Sequence, residues 1–156
     1  MCIRDRYVKN VVRPSLEKGA KKARRDAGMI KVTGGGFIIT GPDRHSIDAM
    51  QAEVRKRIAF YASTRSYFQV LESHGFEEIG HELHEMSLKG QWAEMGELVS
   101  DEMLDAFSIS GEYDEIADRF VDRYGGLLDE VSFTLICEKQ PEEAQMRKMV
   151  RRIKEL

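Results

Sequence analysis

The chain has 156 residues, of which 42% are hydrophobic and 33% charged, with a net charge of −3. This composition can bury a core, and it excludes collagenous, low-complexity and wholly disordered chains. The longest apolar stretches, such as residues 131–137, are far too short to span a bilayer, and no apolar region at the N-terminus reads as a signal peptide.

Cys2 and Cys137 match no metal spacing and make no disulfide framework, so a reducing, cytoplasmic setting is expected. The net charge hides an asymmetry. Residues 1–25 hold nine Lys/Arg against two Asp/Glu, and residues 71–130 hold three against seventeen. Both segments read first as helices with solvated charged faces. Tyr7 is the only aromatic residue in the basic cluster, which argues against nucleic acid as a partner.

In chain order, residues 7–26 read as a helix through the spacing of Val8, Val11, Val12, Leu16, Ala20 and Ala23. Pro14 should kink it or start a fresh turn, and Gly28 is the expected stop. Residues 30–40 read as a strand interrupted by Gly34, Gly35 and Gly36, a pattern that marks a bend or a close approach by another group. Gly41-Pro42-Asp43 breaks it, with Asp43 as the N-cap of a helix reaching Tyr61. Its apolar stripe is Ile47, Met50, Val54, Ile58 and Tyr61.

Further short helices are expected over residues 66–74, ended by Gly75, and over 76–99, broken near Gly90. Another is expected over 101–106. Phe107 to Ser110 is short and apolar before Gly111, and residues 113–124 read as a helix stopped by Gly125-Gly126. Residues 131–137 form a near-continuous apolar run, the mark of a parallel strand buried on both faces. Pro141 then sits in the first turn of a basic C-terminal helix. Two buried strands make no independent sheet. The pattern therefore predicts a chain that pairs with a copy of itself or belongs to something larger.

Few motifs carry chemistry. His81-Glu82-Leu83-His84-Glu85 spaces its histidines by three, whereas a zinc helix needs four, so the expectation is an intrahelical His81–Glu85 pair and no metal. The three glycines fit neither a dinucleotide fingerprint nor a P-loop. Cys137, at a buried strand end, reads as core, and Trp92 with the methionines as core or interface. Tyr61, Ser63, Thr64, Ser66 and Tyr67 crowd polar and aromatic groups at a helix junction. That is the lining of a small-molecule pocket, or else a helix cap followed by a packed tyrosine.

The segment Arg57-Ile58-Ala59-Phe60-Tyr61-Ala62-Ser63-Thr64 changes the picture. Together with Gly41, residues 101–107 and Tyr124-Gly125-Gly126, it resembles the luciferase-like monooxygenase family, most closely the branch of oxidoreductases that use coenzyme F420. The resemblance covers residues 7–135. It implies an α/β fold, the C-terminal half of a (β/α)₈ TIM barrel, with two parallel strands as strands seven and eight and several helices inserted over the mouth. Residues 7–156 would be that half, and residues 1–6 a leader without a family counterpart.

The resemblance also implies a hydride transfer between coenzyme F420 and a small organic substrate, in an enzyme that could be a homo-oligomer. The alternatives are an FMN-dependent monooxygenase of the same family and a non-enzymatic helical interaction module. No catalytic acid or base and no cofactor-binding residue is carried onto a numbered position. The expected substrate pocket is Thr40, at a strand end, with Phe60, Tyr61, Ser63 and Tyr67 in the insertion over the mouth.

Overall fold

A computed structural model describes residues 5–154. Of the expected leader, residues 1–4 lie outside the described residues. Asp5 and Arg6 belong to the first helical turn, α1 (Asp5–Tyr7). A π-helical stretch, Val8–Val12, joins it to α2 (Arg13–Ala23). Pro14 stands in the first turn of α2, where its missing N–H goes unneeded, so it starts a fresh turn. The stop is not Gly28. Arg24 ends the helix in the left-handed conformation, φ 53°, and Gly28 lies in a later turn where its N–H donates to Asp26 Oδ1 at 2.9 Å.

The glycine run divides the expected first strand into β1 (Thr33–Gly34) and β2 (Phe37–Gly41). A Cβ on Gly35 would stand 2.7 Å from the Ser132 carbonyl oxygen, so the close approach that the run signalled is a second stretch of backbone. Asp43 caps α3 (Arg44–Ala62) as expected, accepting from the Ser46 N–H at 2.8 Å. There follow α4 (Phe68–Glu72), α5 (Glu77–Leu88) and α6 (Asp101–Phe107). Gly75 and Gly90 both take positive φ at the breaks.

Two expectations about strands need correction. Residues 108–112 form a full strand, β3 (Ser108–Glu112), where the pattern predicts only a short apolar stretch before Gly111. After α7 (Ile116–Tyr124), the run at 131–137 is not one buried strand. It supplies only β4 (Glu130–Val131) and β5 (Leu135–Ile136). Val131 is exposed, and Leu135, Ile136 and Cys137 are half-buried. The chain closes with α8 (Glu143–Lys154), which starts two residues beyond Pro141.

All pairings are parallel. β1 pairs with β4, and a separate sheet has the order β3-β2-β5. Consecutive strands of a barrel wall would lie in chain order. Here β2 is central, and no closed barrel forms among the described residues. The order decides where the helices go. Right-handed crossovers that step to opposite sides of β2 must cover opposite faces. Accordingly, Ile39 packs in one cluster with Ile47, Val54 and Ile58 of α3 and with Leu83, Met103 and Phe107. Ile38, pointing the other way, packs with Ile116 and Phe120 of α7 and with Met149 of α8.

An exposed clasp ties the N-terminal region to the segment before β4. The Asp129 carboxylate accepts from the Val32 N–H at 2.8 Å and from Arg13 at 2.9 Å, while Arg13 also donates to the Leu127 carbonyl. These contacts, the Val32 N–H first, hold the Asp129 carboxyl below its ordinary range. Lys31 and Thr33 do the same for Glu130. A group whose folded pKa is depressed contributes stability above its unfolded pKa and loses it as the pH falls through the folded one. The melting temperature is therefore expected to fall as the pH drops below about 4. Asp129→Asn should flatten that dependence in a series of thermal melts, and an unchanged slope would refute the clasp's role.

Candidate functional site

In parallel α/β sheets, ligands bind at the carboxyl ends of the strands, above all where neighbouring connections leave for opposite faces. In this chain that point lies between β2 and β3: β2 leads into α3 on one face, and β3 leads into α7 on the other. Thr40 and Gly111 are register partners there, and Gly41 faces Glu112. The Tyr113 N–H donates to the Gly41 carbonyl at 3.2 Å, closing the crevice.

Thr40 is fully buried, and its hydroxyl has no hydrogen-bond partner. An unsatisfied buried hydroxyl costs about 1–3 kcal/mol. At a strand end, this hydroxyl keeps both its donor and its acceptor capacity unused. Two other groups follow the ends of neighbouring strands, Tyr113 after β3 and Cys137 after β5. Tyr113 donates its hydroxyl to the Lys139 carbonyl at 2.6 Å, and burial pushes its pKa up. Burial likewise raises the Cys137 thiol, which is half-buried rather than core. A thiol so shifted stays protonated at neutral pH and is a poor nucleophile. Sequence reasoning passed over Tyr113; its position directly after Gly111-Glu112 at a strand end was the available signal.

The other expected pocket residues lie elsewhere. α3 begins at the carboxyl end of β2 and runs back along it, so its last turn arrives at the opposite end of the sheet. The Tyr61 ring packs 6.2 Å from that of Phe37, the first residue of β2. Phe60, Tyr61 and Tyr67 are therefore not over the mouth with Thr40. They form an aromatic chain instead, Tyr67 to Tyr61 at 5.8 Å, Tyr61 to Phe60 at 5.6 Å and Phe60 to Trp92 at 5.9 Å. A shallow depression of about 440 Å³ opens beside Phe37, Lys56, Phe60 and Tyr61. Trp92 and Phe60 are both about half exposed, so Trp92 is not a core residue.

Ser63 is committed to holding the helix junction. Its hydroxyl donates to the Phe60 carbonyl at 2.8 Å, and its own carbonyl bonds His84 Nδ1 at 2.9 Å. Arg65 Nε donates to His84 Nε2 at 3.1 Å, which makes Nδ1 the protonated nitrogen. His84 is thus a structural staple. His81 pairs backwards with Glu77 at 3.8 Å rather than forwards with Glu85. Among the described residues no group of three or more His, Cys, Asp or Glu is placed to hold a metal ion, and no helix is long and apolar enough to cross a membrane.

A three-layered parallel α/β sheet with an unsatisfied polar group at its strand ends belongs to a wide class of ligand-binding folds. The comparisons narrow that class. A family model described as luciferase-like monooxygenase matches residues 2–130, and the chain belongs to this family. Uncharacterized protein Rv1360 of Mycobacterium tuberculosis is 40% identical over 126 residues, and uncharacterized protein Mb1395 of Mycobacterium bovis shows the same identity over the same length. The aligned residues are 81% of this chain but 37% of each relative, so the chain spans well under half the length of the curated relatives it matches.

The coenzyme F420 dependent tetrahydromethanopterin reductase of Methanopyrus kandleri superposes with a TM-score of 0.64 at 23% identity, over 97% of this chain and 41% of that one. The fold is thus shared with part of that enzyme. The described residues do not form a cradle for a deazaflavin or flavin. The carboxyl ends of the strands offer one free buried hydroxyl, and the glycine run at 34–36 lies at the other end of β2, pressed against Ser132 and Tyr124.

Proposed function

We propose that this chain forms the substrate-facing part of an oxidoreductase that transfers a hydride between coenzyme F420 and a small organic molecule in the cytoplasm. The observation that carries this reading is the buried, unpartnered Thr40 hydroxyl at the carboxyl end of the central strand of a luciferase-like chain. The reductase that shares this fold depends on coenzyme F420, and the choice of deazaflavin follows that likeness. When bound, the cofactor supplies the hydride chemistry. Thr40 would give or accept one hydrogen bond to a polar group of the substrate, and the surrounding apolar side chains of β2 and β3 would keep water away. Phe60, Tyr61, Ser63 and Tyr67 serve the far end of the sheet and take no part in that contact.

The test is a chimera of Rv1360 in which this chain replaces the matching segment. With reduced F420 it should turn over substrates that the FMN-loaded chimera does not. Activity with FMN alone would favour the monooxygenase reading, and binding of neither cofactor would leave only an interaction module. Thr40→Val gives a second check, with opposite signs in the two contexts. In the chain alone it removes an unsatisfied hydroxyl and should raise the unfolding free energy by about 1 kcal/mol. In the chimera it should raise KM roughly tenfold, the worth of one hydrogen bond. Destabilisation of the chain alone would mean that the hydroxyl already has a partner.

A further inference from the structure

Thr40 is 0% exposed, so anything that bonds its hydroxyl needs a way in. Side chains alternate along a strand. Thr40 therefore faces the same side of the sheet as Ile38, the side covered by α7 and α8, and Tyr113 belongs to the apolar cluster on that side.

Tyr113 ties three strands together at their carboxyl ends. It directly follows Glu112, the last residue of β3. Its N–H donates to the carbonyl of Gly41, the last residue of β2, at 3.2 Å. Its hydroxyl donates at 2.6 Å to the carbonyl of Lys139, which lies just beyond β5. Because β2 stands between β3 and β5, the tyrosine has to cross the end of the central strand to make the second bond.

The segment it holds is a strap. Residues 137–142 run from β5 to α8 without helix or strand, and Glu138, Lys139 and Gln140 are exposed. Both ends are anchored. Ile136 is the register partner of Ile39, and Met149 of α8 is buried in the cluster with Ile38. A segment fixed at its ends and tied near its middle through one hydroxyl can lift locally while the sheet stays intact.

We propose, taking Thr40 as a ligand contact as above, that Tyr113 is the latch of this strap, and that the Thr40 hydroxyl becomes accessible when the phenol releases the Lys139 carbonyl. Closed, the phenol and the carbonyl satisfy each other. Open, each needs another partner, so the closed state predominates until water or a ligand supplies one.

The test needs neither cofactor nor substrate, so its outcome is independent of the hydride-transfer reading. It uses the whole chain with Cys2→Ser and Cys137→Ser, and follows alkylation by iodoacetamide. Thr40→Cys should be alkylated slowly, and adding Tyr113→Phe should accelerate it severalfold. Ser108→Cys is the control, buried at the amino end of β3, and Tyr113→Phe should leave its rate unchanged. Equal acceleration at both positions would mean general loosening and overturns the proposal, as does an unchanged rate at Thr40→Cys. With Tyr113 intact, the rate at Thr40→Cys should also be nearly flat in dilute urea, since lifting a strap exposes little surface. A rate that rises with the slope of global unfolding overturns the proposal too. Should Tyr113→Phe fail to fold, this urea dependence decides alone.

Discussion

Phe107→Ala is expected to lower the unfolding free energy by about 3–5 kcal/mol, a large part of what a domain of this size possesses. Phe107 is 2% exposed and ends α6 one residue before β3 begins. Its ring packs 5.3 Å from His74 and 6.0 Å from Phe76, joining the α4–α5 corner to the helices on the Ile39 face. Truncation removes the transfer free energy of a benzyl group and leaves a cavity whose walls belong to several elements, so collapse is restricted. Urea unfolding followed by the fluorescence of Trp92 measures the loss directly, since Trp92 is the only tryptophan. A midpoint shift corresponding to less than about 1 kcal/mol would show that the site relaxes freely and that the cluster is loosely packed.

Gly35→Ala should produce the second large effect, a loss of about 1–3 kcal/mol through overpacking. The added methyl would meet the Ser132 carbonyl oxygen at 2.7 Å, and a backbone atom cannot swing aside as a side chain can. Ser132 is itself held by its N–H, which donates to the Gly34 carbonyl at 2.9 Å. Relief therefore requires that the β1–β4 pairing slide, with the Asp129 clasp beside it. Gly36→Ala is the informative comparison. Its methyl would meet only the Tyr124 hydroxyl at 2.7 Å, the far end of a side chain, and should cost less. Thermal melts that rank Gly36→Ala as the worse of the two would refute this account.

What the sequence made legible was local chemistry. Asp43 as a helix cap, Pro14 as a first-turn residue, and Gly75 and Gly90 as breaks are all decided within one turn of the chain, and all hold. What failed depended on distant partners. Phe107 to Ser110 is apolar, but it is too short and too closely followed by Gly111 to be recognised as a strand by itself. Its strand character comes from β2, and its first serine hydroxyl is satisfied by the Leu104 carbonyl at 2.7 Å. The run at 131–137 failed in the other direction. Apolar content states that a segment gains by burial, and whether a covering element exists is decided elsewhere in the polypeptide.

The same reasoning divides the expected pocket. Thr40 at a strand end could be placed from the following Gly41-Pro42. The position of Phe60, Tyr61 and Tyr67 depended on the direction of α3. A helix that returns along its strand carries its last turn to the far end of the sheet, however ligand-like its residues are.

The central place of β2 has a consequence for how the chain reaches its fold. β2 is complete by Gly41, yet it meets one neighbour only when Phe37 finds Ser108 and the other when Ile38 finds Leu135. Loop closure over such separations must precede any gain from strand pairing, and chains dominated by distant contacts fold slowly. During synthesis the helices from α3 to α6 can gather against one face of a lone strand while its other face waits, apolar and bare, for α7 and α8 to emerge. Ile38 marks that face, and the interval before it is covered is when a nascent chain of this kind has most to gain from a chaperone.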